Sequence, residues 1–264
     1  TISGNPTDAS SVYPYTVTTI GPCTNAFMKG TITVSANSTL DLTSSIQDTT
    51  QAICIGTSIT PITYLIDGGS TGHTVIGLPD GITASYSVTN NEGTLTISGT
   101  PTGNNGTGTF RYIVTAVGPC TSPSLSGTIT VNAASTISLS SDAGTDAQSV
   151  CNNNAITYIT YAIGGGATGA AITSGALPNG VTGSFNAGVF TISGTPTVAG
   201  KFNYTVTTQG PCTNLSKSGF ITVNPSPVVN AITDITYCNG APGAAISFSS
   251  TTPGVTYTWT STRS

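Results

Sequence analysis

Six cysteines, one histidine and nine acidic residues are the groups in this 264-residue sequence from which metal sites and acid–base pairs are most often built. The histidine, His73, sits in GSTGHTV with no acid or cysteine at a spacing that would make it a general base or a metal ligand. Asp80, in GLPDGIT, has Asn179 as its counterpart in ALPNGVT, so that turn requires no charge. Asp142 and Asp146, in SDAGTDAQ, could supply part of a calcium site, but calcium takes about six to eight oxygens, usually several of them carboxylates. The corresponding stretch one repeat earlier has Asp48 alone. The triple glycine Gly164–Gly166 lacks the lysine and following helix of a phosphate loop. No two cysteines stand in a CxxC spacing that would favour zinc. The expectation is therefore a non-enzyme with no catalytic residue, no cofactor and no metal.

Composition points the same way. Only 5% of residues are charged, the net charge is −4, and the basic residues are Lys29, Arg111, Lys201, Lys217 and Arg263. So few scattered cations argue against a phosphate-binding footprint, hence no nucleic-acid partner. No apolar run nears the roughly 18 residues of a membrane span, so the chain is not expected to cross one. With 37% apolar residues a folded chain is favoured over disorder. Threonine, β-branched and at home on a pleated strand, stands where charge usually would, which reads as all-β.

The elements that position these groups repeat. TISGTPT occurs at Thr96–Thr102 and Thr191–Thr197, and TISGNPT opens the chain at Thr1–Thr7, with starts 95 residues apart. That period is one small domain, so the chain reads as an array of domains. Within each copy, SITPITYLI and AITYITYAI alternate as half-buried strands. Pro-Asp-Gly and Pro-Asn-Gly then set turns, proline fixing φ and glycine accepting φ > 0. About seven short strands per copy, with Ser35–Ser45 reading as a linker, predict tandem immunoglobulin-like β-sandwich domains arranged end to end. The aromatic pairs Tyr13 and Tyr15, Phe110 and Tyr112, and Phe202 and Tyr204 share a strand face and are expected inward, anchoring the two sheets.

The expected division is residues 1–34 as the closing strands of one domain, 35–132 and 133–224 as whole domains, and 225–264 as the start of another type. The sequence thus begins and ends within domains, and the absence of a signal peptide at Thr1 carries no weight. The run GLPDGIT…TISGTPT…FRYIVTAVGPC…GTITV resembles the immunoglobulin-like repeats of very large secreted surface proteins of Bacteroidota. The stretch from Pro225 resembles a PKD-like repeat, whose third strand would carry Trp259 into the core. The resemblance implies an extracellular, cell-surface chain exported by type IX secretion through a C-terminal signal that is not in this sequence.

Cysteines in an exported chain imply disulfides. In-domain pairing would join Cys54 to Cys120 and Cys151 to Cys212. In such a sandwich, however, these positions fall at opposite poles, roughly 20–25 Å apart along a strand of about seven residues, and a disulfide needs Cα atoms within about 7 Å. The alternative is an inter-domain staple, Cys54–Cys212, leaving Cys120 and Cys23 to seek partners before residue 1, and Cys151 and Cys238 after residue 264. A third pairing, Cys120–Cys151, joins neighbours in sequence but spans a domain. The sequons at Asn37, Asn105, Asn203 and Asn214 matter only where that glycosylation machinery exists. DTT at Asp48–Thr50 resembles the O-glycosylation motif of exported Bacteroidota proteins, with Thr49 as acceptor.

Three functions compete: a stalk or filament segment of a surface adhesin, a module binding carbohydrate or another cell-surface ligand, and an ice- or surface-binding array. The last needs one flat rank of threonines, which a 95-residue period does not supply. Tandem modules with few charges favour the stalk. Its partners would be neighbouring repeats of the same chain and, at a distance, other cells, surface glycans or an extracellular matrix.

Overall fold

Threonine-rich alternation folds as strand along about half of the chain in a computed structural model, which describes residues 1–9, 11–89, 92–103 and 106–262. Among the described residues there are 18 strands and no α-helix. The chain forms two compact units, Thr1–Ala134 and Ser135–Ser264.

The first unit opens with an antiparallel ribbon of β1 (Ser11–Thr18) and β2 (Phe27–Val34). Eight strands follow: β3 (Ser38–Leu42), β4 (Thr50–Cys54), β5 (Ile62–Gly68), β6 (Gly72–Ile76), β7 (Ile82–Thr89), β8 (Glu92–Gly99), β9 (Gly108–Val117) and β10 (Ser124–Asn132). They form two four-stranded sheets, β3-β5-β8-β7 and β4-β10-β9-β6. All pairs are antiparallel except β4 with β10. This is the strand order of an immunoglobulin sandwich. The alternation read from the sequence is what closes it. Ile62, Tyr64 and Ile66 of β5 face Tyr112, Val114 and Ala116 of β9 in one core, while the residues between them stay at least partly exposed.

The second unit repeats the plan with β11 (Ser135–Leu139), β12 (Ala147–Cys151), β13 (Ile159–Gly165), β14 (Gly169–Gly175), β15 (Val181–Asn186), β16 (Val189–Gly194), β17 (Gly200–Gln209) and β18 (Ser216–Asn224). Its sheets are β11-β13-β16-β15 and β12-β18-β17-β14, with β12 parallel to β18. Its core holds Ile159, Tyr161, Ile192, Tyr204, Val206 and Ile221, all at 0–1% exposure.

Two expectations change. Each sandwich has eight strands rather than about seven, because its first strand is split. The stretch read as a linker contains β3, and a 3-10 turn at Ile46–Thr49 then carries the chain to the other sheet as β4. Asp48 caps that turn by accepting from the Ser45 N–H at 3.1 Å. In the second unit a turn in which Thr145 N–H donates to Asp142 O (3.2 Å) does the same work. Trp259 is also not in a core. It is 73% exposed, and residues 225–262 contain no strand. The sandwich core expected around this indole needs two facing sheets, and this segment forms neither.

Candidate functional site

The most repeated motif is the natural first candidate, and its contacts are structural. The Thr100 N–H donates to Gly81 O (3.1 Å) and the Thr102 N–H to Asp80 O (2.9 Å). In the second unit Thr195 N–H donates to Gly180 O (3.0 Å) and Thr197 N–H to Asn179 O (2.9 Å). The end of TISGTPT therefore grips the PDG or PNG turn through its main-chain N–H groups, with the Thr197 hydroxyl adding a bond to Asn179 O at 3.4 Å; every acceptor is a turn carbonyl, which is why aspartate and asparagine interchange there. Gly81 and Gly180 take φ of 85° and 88°, the left-handed region that favours glycine. The same motif holds the segment ahead of β5, through Gly56 N–H to Pro101 O (3.0 Å) and Ile59 N–H to Gly99 O (3.0 Å).

The second candidate is a pair of buried phenols. Tyr64 on β5 and Tyr112 on β9 belong to opposite sheets, and their hydroxyls lie 3.0 Å apart. Tyr161 and Tyr204 repeat the pair at 3.2 Å. All four rings are at most 1% exposed. The inward tyrosine expected at 112 and 204 is thus present, while Phe110 and Phe202 are half-buried beside the core. The hydroxyl bonds to a second tyrosine rather than to a corner of backbone. Each pair ties the two sheets, and its hydroxyls satisfy each other where water is excluded. Gly127 and Gly219 face Tyr112 and Tyr204 across the strand pair and leave room for the rings.

Burial pushes all four phenols above the ordinary tyrosine range. In Tyr112 and Tyr204 the partner hydroxyl adds to the rise, and in Tyr64 and Tyr161 it opposes it. The raised group is protonated in both states below pH of about 10, so its stabilisation is complete there. Above that pH the unfolded chain sheds phenolic protons first and stability falls. Urea midpoints measured from pH 8 to 11 are expected to hold and then drop above pH 10. The double variant Tyr161→Phe, Tyr204→Phe should flatten the drop for the second unit only; an unchanged profile would reject this account.

The cysteines divide clearly. Cys54 and Cys212 are disulfide-bonded. Cys23, Cys120, Cys151 and Cys238 are exposed free thiols. The in-domain pairs Cys54–Cys120 and Cys151–Cys212, and the neighbour pair Cys120–Cys151, are therefore not formed. The register gives the reason. Cys54 ends β4 opposite Asn132, beside the Val131–Gly108 pair that starts β9. Cys120 lies beyond the other end of that 10-residue strand, where its thiol donates to Ser35 O at 3.5 Å. Ten strand residues span about 30 Å, far beyond disulfide reach. The second unit repeats this, with Cys151 opposite Asn224 and Cys212 past Gln209 at the far end of β17.

The remaining single candidates are not brought together. The His73 ring rests on Tyr86, centroids 4.5 Å apart. Among the described residues no cluster of three or more histidine, cysteine or acidic side chains could hold a metal. Asp142 is exposed and Asp146 half-buried, and Asp146 presents its backbone carbonyl to the Phe220 N–H at 2.8 Å. Thr49 is half-buried at the end of the 3-10 turn, its hydroxyl donating to Ile46 O at 2.7 Å. Asn37, Asn203 and Asn214 are exposed, while Asn105 and Arg263 lie outside the described residues. Sequence reasoning missed Gln51 and Gln148. The Gln51 side chain donates to Asp48 O and Thr60 O (both 2.8 Å) and accepts from Thr60 N–H (2.9 Å). Gln148 does the same with Thr145 and Thr157. The signal was available: each glutamine stands three residues before a cysteine, in TQAIC and AQSVC.

No protein-family model matches this sequence, and no curated protein does. Among solved structures the chain is similar to an E-to-A variant of titin domains I67-I69, at TM-score 0.53 and 16% identity over 74% of this chain and 68% of that one. It is similar also to the I67-I69 I-band fragment of titin, at TM-score 0.51 and 14% identity over the same shares. At such identity the likeness concerns the fold, and it defines the class: a chain of tandem immunoglobulin-like sandwiches. An endo-fucoidan hydrolase of glycoside hydrolase family 107 overlaps 84% of this chain and 35% of its own at TM-score 0.27.

Proposed function

We propose that this chain is a non-enzymatic structural segment, stalk or filament, of a large secreted cell-surface adhesin of the Bacteroidota type, exported by type IX secretion. It spaces or displays a distal tip that meets other cells, surface glycans or matrix. The observation that carries this reading is that three recurring motifs make the same contacts in both complete sandwiches. TISGTPT grips a turn, the tyrosines tie two sheets, and the glutamines pin strands, in both units alike. A module that spends its motifs on its own integrity is suited to repetition.

The Cys54–Cys212 staple belongs to the same proposal. Cys54 lies opposite Asn132, two residues before the first unit ends. Cys212 follows β17, whose Gln209 pairs with Gly169 just past Gly165, and Gly165 pairs with Ser135 where the second unit begins. Each cysteine is therefore at the pole of its own unit reached by residues 133 and 134. A covalent bridge there would restrict how freely one unit moves against the other. Non-reducing peptide mapping should recover the Cys54 peptide linked to the Cys212 peptide; linkage to Cys120 would reject the staple. In the variant Cys54→Ser, Cys212→Ser, NMR relaxation should show the units tumbling more independently, with each still unfolding cooperatively. Unchanged tumbling would reject a stiffening role. Binding of the intact chain to a defined surface glycan would assign it instead to the ligand-binding class.

A further inference from the structure

The ribbon of β1 and β2 carries core side chains with no core. Its register sets Tyr15 opposite Gly30, as Tyr112 stands opposite Gly127 and Tyr204 opposite Gly219. Yet Tyr15 is 38% exposed where Tyr112 and Tyr204 are at 0% and 1%. Val17 is 55% exposed against 0% for Val114 and Val206, and Ile32 is 41% exposed against 0% for Ile129 and Ile221. The Tyr15 ring already covers Gly30, as the buried tyrosines cover their glycines. Beside it, Ile2, Pro6, Tyr13, Ile32 and Val34 line a hollow of about 310 Å³. The preceding TISGNPT is exposed along its length and forms no strand, where TISGTPT elsewhere grips a turn.

We infer that this ribbon is a preformed acceptor face and that its occupant is one particular surface, the β3-to-β8 portion of a repeat of this same type. The two complete units show what covers these positions. A strand of the kind ITYLI or ITYAI lies across the equivalent of β1 and supplies a tyrosine whose hydroxyl meets that of the facing tyrosine. For the ribbon that partner hydroxyl would meet Tyr15. Turn carbonyls at Thr49 and Asp146 lie against Gly127 and Gly219, whereas the three atoms nearest a Cβ at Gly30 all belong to the Tyr15 ring. The vacant place is thus that of the split first strand, the second strand and their turn. The occupant is specified by chemistry as well as shape: an uncharged, β-branched face with one phenol in register. This inference stands on the ribbon alone and is independent of the surface-stalk reading.

The test is to place a copy of residues 35–95 directly ahead of Thr1 in the full chain, since Thr1 corresponds to Thr96, with the copied Cys54 replaced by serine. Hydroxyl-radical footprinting should show oxidation of Tyr15 and Val17 reduced at least tenfold, to the level of Tyr112 and Val114. Thermal unfolding should gain one cooperative transition. A second chain carrying Ile62→Asp and Ile66→Asp in the copied segment should leave the ribbon as exposed as before. The inference is overturned if Tyr15 and Val17 stay exposed in the first chain, or are equally protected in the second. It is also overturned if the unextended chain proves by sedimentation to be a dimer whose ribbon is already protected, because the occupant is then a second ribbon. None of these outcomes depends on where the protein is exported or what its tip binds.

Discussion

Replacing Tyr204 by alanine is expected to unfold the second unit under conditions that leave the first intact. Truncating a buried aromatic costs about 3–5 kcal/mol, against a total of roughly 5–10 kcal/mol for a domain near this size. The loss has two parts that separate experimentally. Tyr204→Phe keeps the ring and removes the hydroxyl, leaving the Tyr161 phenol buried and unpaired, a cost of about 1–3 kcal/mol. Adding Tyr161→Phe removes the orphan, so the double variant should be more stable than Tyr204→Phe alone. Urea unfolding followed by unit-specific amide signals would read this, with the Tyr64–Tyr112 pair as internal control. Equal stability of the single and double phenylalanine variants would show that the hydroxyl pair does not couple the sheets.

The parts legible in the sequence were those written in side-chain type. Ile62, Tyr64 and Ile66 alternate with polar residues, and β5 follows with those three inward. Pro79-Asp80-Gly81 announces a turn, and Ile82 N–H closes it on Pro79 O at 3.1 Å. What TISGTPT does was not legible, because Thr100 and Thr102 act through main-chain N–H groups that every non-proline residue owns. The strand β3 was hidden for a related reason. In STLDL only Leu40 and Leu42 are apolar, too short an alternation to stand out among serines and threonines, yet pairing with β5 fixes it. Tyr64 and Tyr161 could have been matched to Tyr112 and Tyr204 from the recurrence of ITY. That they meet requires knowing that β5 and β9 lie in opposite sheets. Trp259 shows the converse error, since a residue type that favours cores reaches one only when the opposing sheet exists.

A single methyl group should do nearly as much harm as the loss of Tyr204. Gly219 does not have positive φ, so it is glycine for space and not for backbone freedom. A Cβ there collides with both the Tyr204 hydroxyl and the Asp146 carbonyl. That carbonyl accepts the Phe220 N–H at 2.8 Å and so holds the turn that switches the first strand between sheets. Overpacking of a tight core costs about 1–3 kcal/mol, occasionally more, and here two fixed groups must yield at once. Gly219→Ala should therefore lie near the top of that range. Tyr204→Phe in the alanine background should recover only part of the loss, because the carbonyl clash persists. Gly127→Ala should behave alike in the first unit, where Thr49 O and Tyr112 occupy the equivalent places. Gly30→Ala is the discriminating case. The three atoms nearest a Cβ there belong to the half-exposed Tyr15 ring, which can swing aside into solvent. Its cost in the present chain should be under about 0.5 kcal/mol, in line with surface substitutions. Once a covering segment is grafted on, the same substitution should become as harmful as Gly219→Ala. Chemical denaturation of the three glycine variants, with Gly30→Ala measured in the present and the grafted chain, would measure the contrast, and a uniform cost would mean that strand twist, rather than the tyrosine and turn above, demands glycine at this position.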